Sequence, residues 1–142
     1  MVELKHSFDT GKSTDYNWGA ILDLDRIVPC VEGGKVIERE SDEKAKAEIK
    51  VKMGAMSMTF RGTVEVTERD DAAHTAVIAV RSKDTGGSGY ANADVTFNLT
   101  NGGGDINTKA TINGKAASMG EGVVQSVLDA LIKDFTKKLA NI

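Results

Sequence analysis

Between Lys35 and Asn113 apolar and polar residues alternate in run after run, with turn signals between the runs and no helical period among them. Two-residue alternation marks strands that bury one face, and strands joined by short turns build an antiparallel sheet rather than parallel crossover units. In the clearest run, Met56, Met58, Phe60, Val64 and Val66 alternate with Ser57, Thr59, Arg61, Thr63, Glu65 and Thr67. Ile49, Val51 and Met53 share a face before it. After it come His74 to Arg81, then Ala91, Ala93, Val95, Phe97 and Leu99, then Ile106, Thr108, Ala110 and Ile112. Turns are expected at Gly86 to Gly89 and at Asn101 to Gly104. Gly62, with nothing to pack in the middle of a run, predicts a bulge or bend that curves the sheet.

The flanks of this region differ. Val2, Leu4, His6 and Phe8 alternate with Glu3, Lys5, Ser7 and Asp9, which predicts a first strand. Ser13 then caps a helix whose Trp18, Ile21 and Leu22 follow at helical spacing, and Asp25 is expected to cap a second short turn that Pro29 ends. Gly33-Gly34 reverses the chain. At the other end Val123, Val124, Val127, Leu128, Leu131, Ile132, Phe135 and Leu139 recur at helical spacing, opposite Gln125, Asp129, Lys133, Lys137 and Lys138. The period runs from Val123 to Leu139, 17 residues or about 25 Å at 1.5 Å per residue, enough to lie across much of a sheet. The expected architecture is α+β and of the helix-grip kind, as one domain over residues 1–142. A curved antiparallel sheet of about seven strands has two short helices after strand 1 and a long C-terminal helix closing it over a cavity.

Composition narrows the function. A net charge of -3 and no lysine or arginine cluster argue against nucleic acid as a partner. Met1 to His6 lack an apolar signal core, and no stretch approaches the ~20 apolar residues that span a bilayer, so a cytoplasmic location is expected. A single cysteine, Cys30, forms no internal disulfide and builds no cysteine-rich zinc site; it reads as a small buried hydrophobe rather than a reactive thiol. His6 and His74 are the only histidines, far apart in sequence, so no metal is expected.

Several motif-like runs carry no chemistry. Gly11-Lys12-Ser13 lacks the earlier glycine of a phosphate loop, because His6 stands there. The glycines at 86–89 and 102–104 lead into strands, without the helix N-terminus that holds a phosphate. Asn98-Leu99-Thr100 is a chance glycosylation pattern, and Glu68 to Asp71 reads as a solvated strand end. The interior is more informative. Flexible Met53, Met56 and Met58 and the small Ala91, Ala93 and Ala110 face the side the helix covers, and would leave room there for an apolar ligand.

Trp18, Leu22-Asp23, Arg26 to Cys30, Ile49 to Gly54, Phe60 to Val64 and Glu68 to His74 resemble the CoxG-like family, named for the CoxG subunit of carbon monoxide dehydrogenase. The resemblance continues through Gly87 to Gly89 and Gly120 to Val124, so it covers nearly the whole chain. It implies the START-like (SRPBCC) fold and a non-enzymatic accessory role. That role is to bind menaquinone or another isoprenoid quinone or lipid, and to link a CO dehydrogenase-type molybdenum hydroxylase to the membrane quinone pool. No prosthetic group is implied; the quinone is the bound ligand, and contact with the inner membrane face would be peripheral. Carried over by position, Trp18, Leu22, Met53, Met58, Phe60, Val95, Phe97, Val127, Leu131 and Phe135 would line the site, with no catalytic residue among them. Where family members have a proline before the glycine, this chain reads Cys30-Val31-Glu32-Gly33, a loop that would gate the cavity differently. Longer members continue into a linker and hydrophobic tail, whereas these residues stop at Ile142, so permanent anchoring is not expected of them. Two other classes stand beside this reading: an assembly or recruitment factor acting by protein contacts, and an enzyme of the cyclase or hydrolase type that occurs on related folds.

Overall fold

The computed structural model describes residues 1–142. Strand β1 (Val2–Asp9) is followed by helix α1 (Thr14–Leu22), helix α2 (Leu24–Ile27) and a 3-10 turn at Val28–Cys30. Six strands come next: β2 (Gly34–Arg39), β3 (Lys44–Met53), β4 (Met56–Asp70), β5 (Thr75–Asp84), β6 (Tyr90–Thr100) and β7 (Gly103–Ile112). Helix α3 (Glu121–Leu139) follows them. The strands form one antiparallel sheet in the order β1-β7-β6-β5-β4-β3-β2, so the first strand pairs with the last and every other neighbour is a hairpin partner. This is the helix-grip arrangement expected from the periods.

Local chemistry explains the helix starts. The backbone N–H of Tyr16 donates to Ser13 Oγ at 3.1 Å, capping α1 as expected. The cap of α2 is Asp23 rather than Asp25: the Asp25 N–H donates to the Asp23 carboxylate at 3.1 Å. Asp23 is the residue left in extended geometry between the two helices, and that geometry is what an N-cap requires. Pro29 does not end the turn. It sits at the start of the 3-10 turn that continues α2, where its missing N–H costs nothing.

The sheet departs from expectation at three places. His74 is not the first residue of β5; it has φ +55° and closes the tight turn after Asp70. Gly103 and Gly104 already belong to β7, so the β6–β7 turn is only Asn101-Gly102. Gly62 carries no bulge, because pairing runs through it without a shift to Ala47 on one side and Ser82 on the other. The shift in β4 falls between Val66 and Glu68. Glycine is required at 62 for a different reason: a Cβ there would lie 1.8 Å from the Arg81 carbonyl oxygen.

Helix α3 has 19 residues, about 28 Å at 1.5 Å per residue. It starts two residues before the apolar stripe, because the chain from Ala117 to Gly120 is still a 3-10 turn and its exit. Its backbone runs beside β1, with lesser approaches to β3 and to the Val28–Cys30 turn. A polar clasp holds it there: His6 Nε2 on β1 lies 2.7 Å from Asp129 Oδ1, and Lys133 approaches the same carboxylate at 2.9 Å. No helix is long and apolar enough to cross a membrane.

Candidate functional site

The apolar interior is divided. One packed cluster joins Phe8, Ile21, Leu24, Ile78, Phe97 and Leu139. A second joins Val2, Leu4, Val51, Met58, Ala116 and Val124. Between them lies a cavity of about 250 Å³ under α3, walled by residues of both clusters. Exposure along the elements traces it. Val124, Phe135 and Leu139, towards the ends of α3, are buried, whereas Val127, Leu128, Leu131 and Ile132 in its middle are only half-buried. The inward-facing Ala91, Ala93 and Val95 of β6 and Val80 of β5 are half-buried as well, although their strands lie in the interior of the sheet. Water therefore reaches the apolar side of the middle strands, which a filled core would not allow.

Strand alternation builds the floor. On β4 Phe60, Gly62 and Val64 face inward; on β6 Ala91, Ala93, Val95 and Phe97; on β7 Ile106, Thr108, Ala110 and Ile112. Ala93 pairs with Ala110 across two strands, so two methyl groups stand where larger side chains would meet the helix. Phe97 and Phe135 meet edge to face with ring centroids 6.4 Å apart, closing one end. Ile27, Val28 and Val31 bring the α2 turn into the wall. Of the segment from Cys30 to Gly33, Val31 borders the space. Cys30 itself is half-buried, its Sγ donates to the Arg26 carbonyl at 3.4 Å, and burial raises its thiol pKa.

Polar groups on the wall are few and mostly occupied. Ser82 Oγ donates to the Ala91 carbonyl at 2.6 Å. Glu48 is the one ionisable residue that borders the space, and its side chain lies on the outer face of the sheet, across from Arg61 and Lys35 in the register. Its carboxylate is bound by Arg61 at 2.6 Å and approached by Lys35 at 3.4 Å, and Arg61 first, then Lys35, holds it below the usual carboxylate range. The arrangement offers an apolar volume with a few hydrogen-bonding points, the usual character of a small-molecule site.

Of the ten residues singled out in the sequence, the structure gathers seven on the cavity wall: Met53, Phe60, Val95, Phe97, Val127, Leu131 and Phe135. Three lie elsewhere. Trp18 is buried, but its indole N–H donates to Asp71 at 2.8 Å and its ring meets the edge of His74, so it docks α1 onto the β4–β5 turn. Asp71 is accordingly an anchor and not just part of a solvated run; Arg69 and Trp18, in that order, hold its carboxyl below the usual range. Leu22, at the end of α1, packs on the outside of the first cluster. Met58 faces inward as alternation requires, yet it is enclosed in the second cluster and has no side on the open volume. Leu128, Ile132 and Thr108 are wall residues not singled out. Their signal was present in the helical spacing from Val124 and in the two-residue step from Ile106.

Comparison with known proteins agrees with this architecture. A family model for CoxG, described as a subunit of carbon monoxide dehydrogenase, matches residues 7–141. No curated protein matches the chain in sequence. Among solved structures, a conserved protein from Geobacillus kaustophilus is 23% identical, with 99% of this chain and 93% of that one covered at a TM-score of 0.83. A START superfamily protein from Mycobacterium smegmatis is 10% identical, with 98% and 94% covered and a TM-score of 0.60. The Zhui aromatase/cyclase from Streptomyces sp. R1128 is 11% identical, with 99% and 92% covered and a TM-score of 0.64. At such identities these likenesses establish the fold and nothing finer.

Proposed function

The chain belongs to the CoxG family, that of the CoxG subunit of carbon monoxide dehydrogenase, and from that premise we propose that it binds a neutral hydrophobic molecule under α3 as an accessory to a CO dehydrogenase-type enzyme. The observation that carries this reading is the divided core. A domain free to pack its interior leaves about 250 Å³ open between two dense clusters. The size favours a particular mode. Ligand pockets commonly measure about 300–1,000 Å³, so this one takes a ring system or a short chain. An isoprenoid quinone would seat its ring inside and pass its tail out beside the half-exposed middle of α3. The role is carriage or presentation to a redox enzyme at the cytoplasmic face of the membrane, and not catalysis. Supporting this, no carboxylate faces the cavity: that of Glu48, the one ionisable residue bordering it, lies on the outer face with Arg61 and Lys35.

Organic extraction of the purified protein followed by mass spectrometry of the extract tests the reading, together with titration by a short-tailed naphthoquinone. A stoichiometric apolar species, or saturable uptake of the quinone, is expected. No bound species and no uptake would refute it. Co-purification with a CO dehydrogenase-type enzyme, weakened by substitutions on the outer surface but not by those in the cavity, would favour an assembly factor instead.

A further inference from the structure

We infer that Thr108 is the polar recognition point of the cavity, and that the ligand carries a neutral oxygen, carbonyl or hydroxyl, that hydrogen-bonds to it. The inference rests on the ligand-binding reading above and specifies the chemistry of the molecule bound. Thr108 lies midway along β7, across from Leu4 on β1 and Val95 on β6. It is 5% exposed and stands in the inward row of Ile106, Ala110 and Ile112, where it is the one polar member. Its Oγ1 is out of reach of water and has no hydrogen-bond partner in the protein. No other residue of the cavity wall has a buried side-chain polar atom in that condition.

A buried hydroxyl without a partner is a standing cost to the folded state. Valine has the same branched shape and the same preference for strands, and would fill the position without that cost. Ser82, the other hydroxyl that is buried on the wall, shows the ordinary solution, since its proton is given to the Ala91 carbonyl. Thr108 lacks that solution within the chain, and the space it borders is where a partner can be supplied. Rotation about χ1 between staggered positions exchanges Oγ1 with the methyl carbon and turns the hydroxyl into the cavity. The hydroxyl can donate or accept, so a carbonyl or a hydroxyl satisfies it equally. A charged head does not suit the site, because the wall around Thr108 is apolar and leaves an ion unsolvated. The ligand class is therefore a compact apolar ring or chain bearing one neutral oxygen. A hydrocarbon cavity of about 150 Å³ already admits benzene, so a bicyclic probe suits this volume.

The test compares three naphthalenes of matched shape, bearing at position 2 an acetyl, a 1-hydroxyethyl or an isopropenyl group, by calorimetric titration of the whole chain. The wild type is expected to prefer one or both oxygenated probes over isopropenylnaphthalene by about tenfold, the worth of one hydrogen bond; which one wins identifies carbonyl or hydroxyl. Thr108→Val should erase the preference, leave isopropenylnaphthalene binding within about twofold, and melt no lower than wild type without ligand. Thr108→Ser, which keeps the hydroxyl, should retain the preference. A wild type that binds all three alike, or a Thr108→Val protein that still discriminates, overturns the assignment while leaving the ligand-binding reading intact. A wild type that binds none overturns that reading, and this inference with it.

Discussion

Replacing Ala93 with leucine should stabilise the protein and abolish ligand uptake in the same step. Ala93 is half-buried on the inward face of β6, between Val80 of β5 and Ala110 of β7, and its methyl group borders the cavity. The cavity is open to water, so what a larger side chain gains there is the burial of its own added apolar surface. Leucine adds three carbons over alanine, each about 0.8 kcal/mol when buried, for an upper limit of ~2.4 kcal/mol. Imperfect fit lowers the expected gain to about 1–2 kcal/mol. For a chain of this size that is a rise of about 4 °C in the unfolding midpoint. Ligand affinity should fall more than tenfold, because the added side chain takes the space the ligand needs. Thermal unfolding followed by circular dichroism, paired with the quinone titration, reads both quantities. A midpoint several degrees lower with uptake unchanged would show that no open volume exists at Ala93, and the divided-core argument would fail.

Gly62→Ala should destabilise by about 3 kcal/mol or more, read as a lower urea midpoint, since the new Cβ would meet the Arg81 carbonyl at 1.8 Å and the strands would have to separate; an unchanged midpoint would contradict the close approach. Trp18→Phe should cost about 1 kcal/mol by removing the indole N–H bond to Asp71, and should change ligand affinity less than about twofold because the side chain is off the cavity wall. A large loss of binding in Trp18→Phe would place the indole in the site after all. The carboxyl of Asp129 is held below its usual range by Lys133 first and His6 second. A depressed folded pKa means that its contribution is fully present above the unfolded value, near pH ~3.9, and is lost as pH falls through the lower folded one. Asp129→Asn should therefore narrow the difference in urea midpoint between neutral pH and pH about 3; an acid response equal to wild type would mean that the β1–α3 clasp adds nothing.

Much of the architecture was readable in residue periods, because alternation and helical spacing are local consequences of burying one face. Six of the seven strands, their antiparallel sense and the amphipathic α3 follow from that, whereas β2, with Val36 and Ile37 adjacent, and the pairing of β1 with β7 do not. Register and ends were less readable. Asp25 and Asp23 are chemically equal candidates for a cap, and only backbone geometry between α1 and α2 selects Asp23. Gly62 looked like a bulge because both a bulge and a close backbone approach exclude a side chain. His74 extends the alternation of β5, yet the turn after Asp70 takes it out of the strand.

The cavity shows the same division more sharply. The sequence established which face of each strand is apolar, and with it that Met53, Phe60, Val95, Phe97 and the stripe of α3 point towards a shared interior. It also showed that alanines at 91, 93 and 110 stand where bulk would otherwise fill that interior. Periodicity cannot say whether an inward side chain meets another side chain or open space, because that depends on how far the helix stands from each strand. Met53 and Met58 share an interior face, a residue type and a packed cluster, yet only Met53 also borders the open volume. Trp18 was drawn to the β4–β5 turn by one hydrogen bond to a residue 53 positions away. Thr108 could be seen to face inward, but that its hydroxyl has nothing to bond is a property of everything around it in three dimensions.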